Sequence, residues 1–257
     1  MSTFAFVSFH GIMLRNLMHW DYILILLVLA ILIPWRSNAR IRVLLEGPEL
    51  TSFDRIQLYL STMAFQWLIA VFILWRCSIR HLSFADLGIV LPMPGRAIVV
   101  AAVLSILLIL NQVFGLRRLA SLPPDKRGII PKLAERLLPR NSTESLVAFL
   151  LVVSVAVCEE VIYRGFVQTV FHDVIFGYAL AGALISAIFF SFAHLYQGKR
   201  GILTTFVVGL IFSVSRIWTG SLLPCIFIHF CVDLSAGIVA SRLPMAATTT
   251  QHNIVIS

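Results

Sequence analysis

Charged residues are scarce in this sequence, at 12% of 257 residues, whereas soluble domains average about 25%. Hydrophobic residues make up 59% of the chain, and its mean hydropathy is +0.94. A soluble fold of this length could not bury so much apolar surface. The composition therefore excludes a soluble globular domain and predicts an integral membrane protein.

Several motifs are also missing from the chain. There is no HExxH sequence, which excludes the zinc-binding helix of the zincin proteases. The four cysteines form no CxxC pair and are interpreted as small buried residues. The N-terminus shows no basic region followed by an apolar core and a small-residue cleavage site, so no removable signal peptide is expected.

Seven mostly apolar runs are candidates to cross a bilayer, which takes about 20 residues. They are residues 20–35, 58–75, 97–116, 145–171, 178–196, 201–218 and 221–240. The predicted fold class is all-α, a polytopic transmembrane helix bundle of about seven spans. The N-terminal FAFVSF segment would add an eighth span if it also inserts.

Three regions follow from these runs. Residues 1–144 hold three spans and a basic cytoplasmic connection in which 130–138 is amphipathic. Residues 145–240 hold a core of four spans, and residues 241–257 form a short polar tail. With the N-terminus outside, 14 of the 20 basic residues face the cytoplasm, so the C-terminus is predicted to be cytoplasmic.

The formal charge of +8 is spread through the connections between spans, where basic residues orient helices. We therefore expect the lipid bilayer, and no nucleic acid, as the partner of these charges. The expected location is a bacterial plasma membrane, as a multi-pass protein. Nothing in the sequence predicts an oligomeric state.

Five ionisable side chains lie deep within three apolar runs: Glu159, Glu160, His194, His229 and Asp233. A carboxylate at the centre of a membrane helix costs roughly 2.5–3.5 kcal/mol on insertion scales. Such residues face a bundle interior or a wet cavity and are functional candidates, although buried structural pairing is the alternative. Five of them together favour function.

Helical spacing separates these residues into different roles. Glu160 lies four residues before Arg164, which is the favourable order for an ion pair. Glu159 points elsewhere, has no partner on its own helix and is therefore free for chemistry. His229 and Asp233 are also four apart, so the acid could fix the tautomer of the imidazole.

The spans place these groups at comparable depths. Glu159 and His194 each lie about 17 residues, or roughly 26 Å, from a turn predicted at 176–177. His229 lies only about 9 residues, or roughly 13 Å, beyond Gly220. The depths agree if the 145–196 hairpin projects beyond the last helix, or if the last helix begins deeper in the membrane.

Three motifs then occur in order along the chain. The first is EEVIYR at 159–164, the second has Phe190 four residues before His194, and the third is TGSLLPCIFIHFCVD at 219–233. Together they resemble the CPBP family, which comprises type II CAAX prenyl endopeptidases and bacteriocin-processing or immunity relatives with the ABI domain. The resemblance covers roughly 145–240.

The resemblance implies an intramembrane endopeptidase, with its active site inside the bundle, that activates water without a metal or other cofactor. Glu159 would be the general base, His194 would hold and polarise the water, and His229 with Asp233 would stabilise the developing oxyanion. The supporting residues would be Glu160 and Arg164. The family most often has Asn at position 233, and an ionised Asp cannot donate to an oxyanion, so we expect Asp233 to orient and charge His229.

Two alternatives remain open at the level of sequence. Glu159, His194 and His229 also form a suitable ligand set for catalytic zinc, which would make the protein a metallopeptidase. A non-proteolytic immunity or scaffold protein is the other alternative, and it predicts that Glu159→Gln is silent. The substrate would be a membrane-associated peptide or protein, whose identity and prenylation the sequence does not reveal.

Overall fold

The computed structural model describes residues 19–123, 126–175 and 178–242. Within these ranges the chain forms eight helices joined by short connections and no strand. The helices are α1 Trp20–Glu46, α2 Ser52–Ile79, α3 Pro94–Ser121, α4 Ile130–Leu137, α5 Ser142–Val174, α6 Ala179–Ala193, α7 Gly198–Thr219 and α8 Leu223–Arg242.

The helical architecture confirms the predicted all-α membrane bundle of about seven spans. Six of the helices are long and apolar enough to cross a membrane, and α6 is a seventh, shorter apolar helix. The predicted turn at 176–177, the N-terminal FAFVSF segment and the tail beyond Arg242 lie outside the described residues. The seven predicted spans thus correspond in order to α1, α2, α3 and α5 through α8.

Two helix ends differ from the apolar runs. Helix α1 continues to Glu46, well beyond the run that ends at Trp35, because a helix does not need to stop where its residues become basic. Helix α6 ends at Ala193, and a single 3₁₀ turn at Leu195–Gln197 leads into α7. His194 therefore lies at a helix terminus instead of within a continuous span.

Helix α5 is the central element of the bundle. It packs against α2, α6 and α8, while α3 packs along α8 and α7 packs along α6. A core of buried apolar side chains joins α1 to α5, where the Tyr22 and Phe166 rings meet edge to face at 5.1 Å. Every functional candidate identified from the sequence lies on α5, on α8 or at the end of α6.

The first turn of α5 is held by a buried polar cluster. The Asn141 side chain accepts a hydrogen bond from the Glu144 backbone N–H at 2.9 Å, as expected of a helix cap. The Glu144 carboxylate in turn accepts from Arg55 Nε of α2 at 2.9 Å, and both side chains are almost fully buried. This ion pair fixes α2 beside α5 at the predicted cytoplasmic end.

At the other end, the start of α8 explains how His229 reaches the depth of the α5 glutamates. The Leu222 N–H donates to the Gly88 carbonyl at 2.8 Å, and the Leu222 side chain packs against Gly165 of α5. Helix α5 continues for nine residues beyond Gly165, or about 13 Å. Of the two arrangements that the depths allowed, the α5–α6 hairpin therefore extends past the start of α8.

A close approach between α5 and α6 requires glycine at position 182. A β-carbon there would lie 2.6 Å from the Gln168 carbonyl oxygen and 2.9 Å from the His172 nitrogen, both of which are backbone atoms. We expect Gly182→Ala to lower the free energy of unfolding by about 1–3 kcal/mol, because the two helices must move apart. Thermal unfolding of the purified protein in detergent measures this loss.

Gly237→Ala is the matched control, since a β-carbon at Gly237 of α8 would meet no atom within 4 Å. Alanine is also the better helix former, so we expect this variant to unfold at the wild-type temperature or slightly above it. Equal destabilisation by the two substitutions would contradict the close packing of α5 and α6.

Candidate active site

The candidate site begins where α5 changes its helical form. The helix is α-helical through Glu159, π-helical over Glu160–Val167 and α-helical again from Gln168. Single π-helical turns within α-helices are rare and occur frequently at functional sites. All eight residues of the π-helical segment are buried, so this part of α5 faces protein on every side.

A buried chain of charge-assisted hydrogen bonds starts in this segment. Arg164 Nη1 donates to Glu160 Oε1 at 2.9 Å, which agrees with the pairing predicted from their spacing. The same Glu160 oxygen lies 2.7 Å from His229 Nδ1 of α8. Because a carboxylate only accepts, the hydrogen on this bond belongs to His229 Nδ1.

Arg164 is held by groups other than the carboxylate. Its Nη2 donates to the Gly209 carbonyl of α7 at 3.3 Å, and its guanidinium lies over the Phe190 ring at 4.2 Å from the centroid. Arg164 and Glu160 are fully buried. A buried charge is tolerated when it is paired and hydrogen-bonded. The pairing meets this condition in part, since Arg164 Nε and Glu160 Oε2 have no hydrogen-bond partner within the described structure.

Glu159 lies on the more open side of the same cluster. Its Oε1 accepts a hydrogen bond from Gln66 Nε2 of α2 at 3.0 Å. Its Oε2 lies 3.9 Å from His229 Nε2 and has no hydrogen-bond partner among the described residues. The Glu159 side chain is 16% exposed, whereas that of Glu160 is fully buried. One oxygen is thus anchored, and the other is buried without a hydrogen-bond partner in the described structure.

His194 reaches the site from the end of α6. Its Nδ1 donates to the Phe190 carbonyl at 2.8 Å, which leaves the Nε2 lone pair of the neutral ring free. Its ring packs at 4.7 Å from the Phe190 ring, and the edge of that ring meets the His229 ring at 6.0 Å. The Phe190 ring therefore contacts both imidazoles.

Asp233 lies one turn after His229 and is the most exposed acid of the cluster, with 37% of its side chain accessible. Its Oδ2 is 3.5 Å from His229 Nε2. The closest carboxylate to the His229 ring is therefore Glu160, on the Nδ1 side. The sequence predicted that Asp233 orients His229; Asp233 lies beside Nε2 of the ring, and Glu160 makes a second, shorter contact at Nδ1.

The structure also brings in a residue that the sequence argument did not select. Gln66 comes from α2, outside the three motifs, and it is the polar residue that interrupts the apolar run MAFQWLIA. An amide side chain within a membrane span can indicate a functional residue in the sequence, although it is a weaker indication than a charged side chain. Cys158 and Cys225, by contrast, are fully buried, as expected of small packing residues.

The same side chains can be compared with the needs of a zinc ion. Two imidazoles and a carboxylate are suitable donors by chemical type. However, among the His, Cys, Asp and Glu side chains of residues 19–123, 126–175 and 178–242, no group of three or more is arranged to hold a metal ion. The chemical types of these side chains therefore suit zinc, but their positions in the described structure do not surround a common ion site.

The fold and the site together define a helical membrane protein with a buried carboxylate–imidazole cluster. Residues 141–235 match the family model described as type II CAAX prenyl endopeptidase Rce1-like. This match confirms the family resemblance predicted from the three motifs, and it covers a little over a third of the chain, from the cap of α5 into α8. Residues 141–235 are thus similar to the domain that this model describes. Searches of curated proteins and of solved structures found no match.

Proposed function

We propose that this protein hydrolyses a peptide bond in a membrane-associated peptide or protein, with Glu159 as the general base that activates water. The observation that carries the proposal is the state of the Glu159 carboxylate. One of its oxygens is anchored by Gln66, and the other is buried, faces His229 and has no hydrogen-bond partner within the described structure. A general base must have such an oxygen within reach of its water.

The proposed reaction uses three side chains. Glu159 Oε2 takes a proton from water while the water oxygen bonds to the substrate carbonyl carbon. The second water hydrogen donates a hydrogen bond to His194 Nε2, since its Nδ1 is already committed to Phe190. The proton on Glu159 then passes to the leaving nitrogen as the C–N bond breaks, which yields a carboxylic acid and an amine. Transfer of the acid proton to the amine gives the final carboxylate and ammonium products.

His229 is proposed to stabilise the developing oxyanion. Its Nδ1–H is committed to Glu160, so only Nε2 faces the open side of the cluster. When the ring is protonated on both nitrogens, Nε2–H donates to the carbonyl oxygen that becomes negative. Donors fixed in advance in a water-poor site are effective at this task, because they need no reorganisation during the reaction. Asp233, 3.5 Å from the same nitrogen, is proposed to adjust the charge and placement of His229 without donating to the substrate.

The family description suggests a prenylated CAAX peptide as the first substrate to test. Purified protein in detergent should cleave an internally quenched peptide with a farnesylated CAAX end, and the same peptide without the lipid serves for comparison. We expect cleavage to persist under strong chelation, with less than one zinc per chain by elemental analysis. Activity that is lost on chelation and restored by zinc would instead support the metallopeptidase alternative. Failure to cleave either peptide would contradict the proposed activity on this substrate class.

We also propose that the C-terminus faces the cytoplasm of a bacterial cell. The ends of α1 and α3, the amphipathic helix α4 and the start of α5 lie on one side of the bundle, where most basic residues of the chain are found. A phosphatase fused after residue 257 should therefore be inactive in the periplasmic assay. An active fusion would contradict this orientation.

A further inference from the structure

Gln66 lies outside the matched segment, yet it contacts the proposed general base directly. It belongs to α2, and its Nε2–H donates to Glu159 Oε1 at 3.0 Å. Because a carboxylate only accepts, this contact assigns the amide nitrogen to the Glu159 side and turns the amide oxygen away from that carboxylate oxygen. A helix from the N-terminal region therefore contributes to the site formed by α5, α6 and α8.

Two buried acceptors lie next to this hydrogen bond. Gln66 Oε1 and Glu159 Oε2 are both inaccessible to solvent and lack a hydrogen-bond partner within the described structure. Buried polar atoms are nearly always satisfied, so each unsatisfied atom calls for a specific reason. They belong to two side chains already joined through their other ends, so the hydrogen bond from Gln66 leaves Glu159 Oε2 free to accept a hydrogen from water.

The placement of Gln66 is fixed by its neighbour. Trp67 Nε1 donates to Ser154 Oγ of α5 at 3.1 Å, five residues before Glu159. Further along the two helices, Arg55 pairs with Glu144 at 2.9 Å. These two contacts set the register of α2 against α5, and Gln66 then meets Glu159 as a consequence of that register.

We propose that Gln66 is a positioning residue for the hydrolytic reaction: its amide N–H holds one oxygen of Glu159, and this fixes the direction in which the other oxygen meets the water that it activates. This inference rests on the proposed function and adds to it a contribution from a span outside the matched segment. Leucine or methionine at this position would fill the space but could not donate to the carboxylate.

The test is the variant Gln66→Met, which keeps the unbranched shape of the side chain and removes both hydrogen-bonding groups. We expect kcat for the farnesylated probe peptide to fall about 10- to 100-fold, since small misplacements of reacting groups have effects of this size. KM and the unfolding temperature should stay near the wild-type values. The acidic limb of the pH–rate profile should move to higher pH, because the carboxylate loses a donor that favours its ionised form.

A variant of the same helix separates this role from a general effect of changing α2. Gln57→Leu replaces an exposed glutamine nine residues before Gln66. It should keep the wild-type kcat and pH profile. If Gln66→Met also keeps them, or if Gln57→Leu reproduces its loss, the positioning role is overturned.

Assays of the wild-type protein and of Glu159→Gln in parallel separate a failure of the proposed hydrolytic function from a failure of the proposed role of Gln66. Cleavage by the wild type but not by Glu159→Gln supports the proposed function, whatever Gln66→Met does. A wild type that does not cleave overturns the proposed function, and the role of Gln66 in catalysis falls with it.

Discussion

Glu159→Gln is expected to lower kcat by about 10²- to 10⁴-fold, which is the usual contribution of a general base. The substitution keeps the size of the side chain, so the anchoring of one oxygen by Gln66 can persist. The amide cannot take a proton from water. The unfolding temperature should therefore stay near the wild-type value while cleavage of the peptide, followed by fluorescence, is almost lost.

Glu144→Gln is the matched control because it changes another buried glutamate of the same helix. Glu144 pairs with Arg55 near the start of α5, 15 residues before Glu159 of the proposed catalytic cluster. Removing its charge leaves the buried Arg55 without a charged partner, so we expect a lower free energy of unfolding with little change in kcat per folded molecule. Wild-type activity in Glu159→Gln would contradict its role as the base and would favour the non-proteolytic alternative.

Arg164→Met is expected to cause the largest loss of stability. The arginine is fully buried, pairs with Glu160 and donates to the Gly209 carbonyl. Removing one partner of a buried pair typically costs about 3–5 kcal/mol, because the remaining charge stays in the interior. Activity should fall as well, since Glu160 orients His229. Thermal or denaturant unfolding in detergent, combined with the cleavage assay, measures both effects.

The double substitution Glu160→Gln with Arg164→Met separates the two consequences. With both charges removed, no unpaired ion remains, so much of the lost stability should return. Activity should not return, because a neutral amide cannot support the protonated His229 as a carboxylate does. If the double variant recovered cleavage together with stability, the Glu160–His229 contact would have no part in catalysis.

Much of the fold could be predicted because each span carries its own signal. An apolar run of sufficient length predicts a membrane helix without knowledge of its neighbours, and all seven runs correspond to helices. The ends of the helices were harder to predict from the sequence. Helix α1 extends to Glu46, beyond the apolar run, because helical hydrogen bonds continue where apolar character stops.

The candidate site was only partly predictable from the chain. Charged residues deep within a span stand out in the sequence, because the free energy of placing a charge in the membrane is high. The four-residue spacing along one helix predicted the Glu160–Arg164 pair. The contact between Glu160 and His229 depends on how α5 and α8 are staggered, which spacing within either helix does not encode. The same limit applies to Gln66, because its partner lies 93 residues away on another helix.

The central claim is that Glu159 of α5 and His229 of α8 act together on one substrate carbonyl. A double-mutant cycle on kcat/KM, using Glu159→Asp, His229→Asn and the combined variant, tests this most directly. Contacting groups that share a task typically show a coupling of about 0.5–3 kcal/mol. We predict a coupling in this range, so that the combined loss differs clearly from the product of the single losses. Two losses that simply multiply would show that the residues act independently, and would contradict the single site.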